Sequence, residues 1–107
     1  MLKWQNKKTS QLIRTLLMLK NEKEAKCFLR DLLTEAEIIE FGNRWQAVQM
    51  LDRKISYTKI VKQTGLSSRT IARISKWLNN GMNGYRLVLD RLNKKNHHQT
   101  LLSVQKR

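Results

Sequence analysis

The chain contains no proline and only four glycines in 107 residues, so few segments are forced to turn or break. Strand-like alternation is also missing and helix formers dominate. Together these absences predict an all-α chain of about six helices. Cys27 is the single cysteine, which excludes an internal disulfide. No histidine accompanies it in sequence, so it is expected as a small buried hydrophobe beside an apolar stripe rather than as a reactive thiol. No run approaches the ~18 apolar residues of a membrane span. The opening MLKWQNKKTSQ is basic but lacks the apolar core of a secretory signal. A cytoplasmic location is therefore expected.

Motifs of catalysis and cofactor binding are missing as well. There is no GxxxxGK[ST] or GxGxxG to cradle phosphates, and no Cys/His set with zinc spacing. His97 and His98 are adjacent, and on a helix they would point about 100° apart and not converge on one metal. The acids show no paired-carboxylate arrangement. No enzyme activity, metal or cofactor is expected.

Charge is what the chain has in excess, at a net +14. Acids are concentrated between Glu22 and Glu40, and none occurs from Arg53 through Leu89. That acid-free stretch carries Arg53, Lys54, Lys59, Lys62, Arg69, Arg73, Lys76 and Arg86. A merely solvated helical surface gains by mixing signs at i,i+4. A one-sign field costs self-repulsion that an anionic partner relieves, and nucleic acid is the partner expected rather than a membrane.

Taken in order, residues 1–8 read as a basic arm. Thr9 or Ser10 can cap a helix containing Leu12, Ile13, Leu16, Leu17 and Leu19. A second helix is expected over Glu22–Leu32, with Ala25, Phe28, Leu29 and Leu32 inward. Thr34 followed by Glu37 is a capping box that opens the longest helix, Glu35–Asp52. Its main apolar stripe is Ile38, Phe41, Trp45 and Val48, ending at Leu51 or Asp52. Ile39, Ala47 and Met50 form a second apolar set, which suggests a partner subunit. Gly42, inside this helix, either admits a close neighbour or is simply tolerated. Asn79 to Gly84 is the glycine-rich loop that stops a helix. A last helix follows, from Tyr85 to about Leu92 or Lys95, with Tyr85, Leu87, Val88 and Leu92 apolar. Residues 9–95 thus form one domain and 96–107 a basic tail.

Between these lies SYTKIVKQTGLSSRTIARISKWL, residues 56–78. Ser56 is placed to cap a short helix over Tyr57–Gln63, Gly65 reverses the backbone, and Ser67 or Ser68 caps a second helix to about Leu78. Ile60, Val61, Leu66, Ile71, Ile74 and Leu78 form the expected buried set. Ser68, Arg69, Thr70, Arg73 and Lys76 occupy the other faces. This is a helix-turn-helix pattern whose second helix exposes a basic, hydrogen-bonding surface.

With that pattern in place, residues 10–92 resemble the Trp-repressor superfamily, and within it the YerC/YecD branch. The resemblance is carried by Phe28-Leu29-Arg30-Asp31-Leu32-Leu33-Thr34, Glu37-Ile38 and Gly42-Asn43-Arg44-Trp45. It continues through Gly65-Leu66-Ser67 and Thr70-Ile71-Ala72-Arg73. It ends in Trp77-Leu78-Asn79 and Gly84-Tyr85-Arg86-Leu87-Val88-Leu89-Asp90-Arg91-Leu92. The resemblance implies an intertwined all-helical homodimer in which the first three helices interlock between subunits. It also implies two recognition helices in successive major grooves of a palindromic site. Arg44 and Arg73 match the two arginines that flank the indole in tryptophan-responsive members. Ile74 stands where those members have a small residue, and the loop after Leu51 is one residue shorter. A branched side chain there crowds an indole, so no tryptophan-like corepressor is expected.

The expectation is then a sequence-specific transcriptional regulator, a repressor, that binds double-stranded DNA as a homodimer on the nucleoid. Arg69, Thr70 and Arg73 are the candidates for base edges, since arginine suits guanine O6 and N7. Ser67, Ser68, Lys54, Lys59 and Lys76 are the candidates for phosphates. The rival readings are a nonspecific or replication- or transposition-associated DNA-binding module, and an RNA binder or protein-interaction adaptor. RNA readers supply exposed stacking aromatics, whereas Trp45 lies on an apolar helix face, Trp77 flanks one, and only Trp4 in the arm stands free.

Overall fold

The computed structural model describes residues 2–105, with side chains to residue 96. Six helices and no strand occur among the described residues: α1 (Lys7–Leu16), α2 (Glu22–Leu32), α3 (Glu35–Asp52), α4 (Tyr57–Thr64), α5 (Ser68–Asn80) and α6 (Gly84–Gln105). The chain forms two compact units that divide within α3, Met1–Ile39 and Glu40–Arg107.

In the first unit, local capping decides where helices begin. Asn6, in extended backbone, accepts a hydrogen bond from the Thr9 amide at 3.0 Å, and the Thr9 hydroxyl accepts one from the Asn6 amide at 3.2 Å. Asparagine caps as well as serine or threonine. The helix therefore opens at Lys7, inside the expected arm, and Thr9 is the third residue of a capping box instead of the cap. The helix ends at Leu16, which leaves Leu17 and Leu19 beyond it. Asn21 caps α2 by accepting from the Glu24 amide at 2.9 Å. The Thr34–Glu37 box is formed, with the Thr34 amide donating to the Glu37 carboxylate at 3.0 Å and the Glu37 amide donating to the Thr34 hydroxyl at 3.1 Å. These bonds from Thr34, backbone first, hold the Glu37 carboxyl below its ordinary value.

Neither α1 nor α2 contains a buried residue. Ala25, Phe28 and Leu29 are half-buried, while Leu32 is exposed. Cys27, expected in the interior, is exposed. It lies next to the apolar stripe of α2 in sequence but turns with Lys26 and Arg30 to its outer side.

The second unit holds the core. Ala47, Val48, Met50, Ile60, Leu66, Ile71, Ile74, Leu78 and Leu89 are buried, with Trp45, Leu51, Ile55, Val61 and Tyr85 packed against them. Two residues that sequence periodicity placed off the main stripe of α3, Ala47 and Met50, are thus inside, whereas Ile39 and Phe41 are exposed. A Cβ at Gly42 would meet no atom within 4 Å, so no neighbour within the chain requires that glycine. α6 turns inward through Tyr85 and Leu92, as expected, and through Leu89, whereas Leu87 and Val88 of the expected set are exposed. It also runs on to Gln105, through most of the segment expected as a tail, while the side chains of His97 and His98 lie outside the described residues.

Turn chemistry sets the path between α4 and α5. The buried Thr64 donates its hydroxyl to the Ile60 carbonyl at 2.7 Å and accepts from the Leu66 amide at 3.2 Å. Gly65 between them is left-handed at φ 73°, and its amide closes on the Val61 carbonyl at 2.9 Å. At the far end of α5, a Cβ on Gly81 would run into the Trp77 carbonyl, so glycine is required there by close approach.

A Cβ at Gly65 would meet open space, so its substitution isolates backbone strain from packing. Gly65→Ala is expected to lower the unfolding free energy by about 1–2 kcal/mol, the cost of a left-handed L-residue. Urea denaturation measures this.

Candidate nucleic-acid interface

The candidate interface is built on α5 and the turn before it. Ser67, extended at φ −69° and ψ 154°, accepts from the Thr70 amide at 3.1 Å, and its hydroxyl donates to the Thr70 hydroxyl at 3.0 Å. Ser56 caps α4 in the same way through the Lys59 amide at 3.4 Å. Both serines are therefore structural caps. The first-turn amides of Ser68 and Arg69 are among those a helix leaves without an internal partner, and such amides favour anions.

Ile71 and Ile74 are completely buried and Leu78 is 7% exposed. At about 100° per residue these three share one sector of α5. Arg69, Arg73 and Lys76 fall on the opposite side, together with Asn80, and all four are exposed. Asn80 lies past the helix end expected at Leu78, and the register of α5, which runs on to it, puts it on this face. Thr70 is half-buried beside the cap.

The charges on this face are unpaired among the described residues. Ion pairs among the described residues join Lys26 to Glu22, Arg30 to Glu35, Arg44 to Glu40, and Arg86 to Asp52. None reaches Lys54, Lys59, Arg69, Arg73 or Lys76. Lys59 projects from α4 and is exposed. Lys54 precedes α4 in a left-handed conformation, φ 63°, which costs a non-glycine residue about 1–2 kcal/mol. The adjacent Ile55 offsets that strain, since its side chain packs on the core and its amide binds the Met50 carbonyl at 3.0 Å.

The two arginines singled out by resemblance differ in their surroundings. Arg44 is half-buried; its Nη2 lies 3.3 Å from the Glu40 carboxylate, and its Nε is buried without a partner among the described residues. Arg73 is exposed and makes no hydrogen bond or ion pair among the described residues. Ile74, next to it, is completely buried in the core. The aromatics lie elsewhere. Trp45 and Tyr85 have ring centroids 6.3 Å apart. With Trp77, Met82 and Val88 they line an apolar recess of about 550 Å³. Trp77 is 46% exposed at the edge of that recess, which is more than its place flanking an apolar face suggested.

A short helix, a glycine turn and a second helix with an unpaired basic outer face define the helix-turn-helix class of DNA-binding domain. Comparison with known proteins gives the family. Residues 7–93 match the family described as Trp repressor protein. The chain is 37% identical over 90 residues to the uncharacterized protein YerC of Bacillus subtilis strain 168, covering 84% of this chain and 86% of that protein. Two crystal structures are similar. One is a TrpR like protein from Eubacterium eligens, with TM-score 0.80 and 35% identity, covering 85% of this chain and 94% of that one. The other is a putative Trp repressor from Staphylococcus aureus, with TM-score 0.79 and 32% identity, covering 85% and 91%. The chain belongs to the Trp repressor family, a family of DNA-binding regulators.

The two sides of α5 should separate in mutagenesis. Arg69→Ala and Arg73→Ala are expected to change unfolding free energy by less than about 0.5 kcal/mol. Ile74→Ala on the inner side is expected to cost about 2–5 kcal/mol. Thermal and chemical unfolding of the three variants checks the assignment of faces.

Proposed function

We propose that the chain is a sequence-specific transcriptional regulator that binds double-stranded DNA as a homodimer and acts as a repressor. The observation that carries this reading is the unpaired stripe of Arg69, Arg73 and Lys76, set opposite the buried stripe of Ile71, Ile74 and Leu78. In the major groove, Arg69, Thr70 and Arg73 read base edges, and arginine meets guanine with two hydrogen bonds. Lys54, Lys59, Ser68 and Lys76 hold phosphates and set register. Ser67 contributes mainly by fixing the first turn, because its hydroxyl is already engaged by Thr70.

The homodimer is supported by the first unit. Isolated helices of 10 and 11 residues are marginal in water, and α1 and α2 bury no residue within the chain. Their apolar residues Ile13, Leu16 and Leu32 are 47%, 39% and 49% exposed. A second copy supplies the matching apolar surface. Two recognition helices then address successive major grooves of an approximately palindromic site, roughly 34 Å apart.

No tryptophan corepressor is part of this reading. Ile74 is committed to the core, and Arg44 is held by Glu40 within its own helix. Arg73 is left for DNA.

Salt titration of duplex binding tests the proposal. With about four phosphates neutralised per subunit, log K is expected to fall against log salt with a slope near −7 for the dimer. Arg73→Ala, which removes a base reader, is expected to weaken affinity and leave that slope unchanged; a slope shallower by about one per subunit would assign Arg73 to a phosphate instead. A slope near zero, or RNA of equal length displacing the duplex, would sink the reading.

A further inference from the structure

Asp52 and Arg86 are joined across 34 positions, with Nη1 of the arginine 2.8 Å from Oδ1 of the carboxylate. By contrast, the capping bonds at Asn6, Asn21, Thr34, Ser56 and Ser67 each span three positions. The segment that the pair closes contains the whole helix-turn-helix, α4 and α5. Asp52 is the last residue of α3 and Arg86 lies in the first turn of α6. Each therefore sits at the end of its helix where the helix dipole disfavours its charge. Helix stability accounts for neither residue alone; opposed to one another, the two charges cancel.

The carboxylate is also unexpected for a DNA-binding surface. Asp52 borders the acid-free stretch 53–89, where a negative charge subtracts from the field that attracts a polyanion. The pair lines a recess of about 280 Å³ together with Ser75, Leu78 and Asn79 from the last turns of α5. It is thus placed to govern how that helix is held between the end of α3 and the start of α6.

Resting on the DNA reading above, we infer that Asp52–Arg86 is a positioning pair for the recognition helix. It pins both ends of the helix-turn-helix segment and so fixes the angle at which Arg69 and Arg73 are presented. Its loss loosens base reading and leaves attraction to the backbone intact. The two residues touch no base in this account; they act through α5.

The test compares two labelled duplexes of equal length, one carrying a site selected by the wild-type chain and one with that site scrambled. Asp52→Asn removes a negative charge, so electrostatics alone would raise affinity for both duplexes by the same factor. The positioning role instead lowers the ratio of selected to scrambled affinity by about tenfold, the scale of one mismatched base pair. Affinity for the scrambled duplex is unchanged or higher. Arg86→Gln lowers the ratio by a similar factor. The exchange Asp52→Arg with Arg86→Asp places each charge at the favourable end of its helix dipole and restores the ratio to within about twofold of wild type. Melting curves recorded alongside confirm that the variants are folded, as expected where a partly exposed pair is removed. An unchanged ratio in Asp52→Asn, or an exchange variant whose ratio stays as low as the single variants, overturns the inference while the DNA reading stands. A wild-type chain that does not prefer its selected site overturns both.

Discussion

Burial of Ile71, Ile74 and Leu78 along one side of α5 is the constraint on which the rest of the structure depends. Each fully buried isoleucine contributes about 1.5–3 kcal/mol over its exposed state. A like-charge pair at i,i+4, such as Arg69 and Arg73, costs only about 0.2–0.5 kcal/mol. Apolar burial therefore wins comfortably, and it can hold an uncompensated basic face toward solvent. Leu66, just after the Gly65 turn, and Ile60 on α4 complete the same seam. The turn is tied from both sides by Thr64. The direction in which the arginines point is thus a consequence of packing that involves none of them.

Within that frame the polar groups divide by what they are bonded to. Ser56 and Ser67 are spent on helix ends, and Arg44 and Arg86 on carboxylates. Lys59, Arg69, Arg73 and Lys76 are left with no ion-pair partner among the described residues. The proposed reading of DNA needs this separation. Groups that hold the scaffold must not exchange partners when DNA arrives, and groups that read must be free of internal competitors. Arg73 illustrates it best. By resemblance it occupies a ligand-holding position, yet its neighbour Ile74 is wholly inside and its own side chain faces out.

Much of this was legible in the sequence because the signals are local. Capping motifs span three residues and apolar stripes repeat every three or four. They gave the bounds of α2 and α3 as observed, the Gly65 turn, and the caps at Ser56 and Thr34. The start of α1 was missed because Asn6 and Thr9 are both good caps, and only the geometry shows which one accepts at the helix end. Leu89, not Leu87 or Val88, faces the core because rotation of α6 is set by its packing on α5, which a run of adjacent apolar residues does not define. The extension of α6 to Gln105 carries few apolar residues at helical spacing, so periodicity did not report it. Asp52–Arg86 joins residues 34 positions apart and leaves no pattern that a local window can detect. Residue type alone points Cys27 to the interior, whereas the register of α2 turns it outward.

The central claim is that packing presents α5 as a reader of DNA sequence. Sequencing of duplexes selected from a random pool by the purified chain tests it most directly. The account predicts an enriched, approximately palindromic motif with half-sites one helical turn apart, roughly 10 base pairs, and the same motif with or without added tryptophan. Recovery of duplexes with no enriched motif would contradict it.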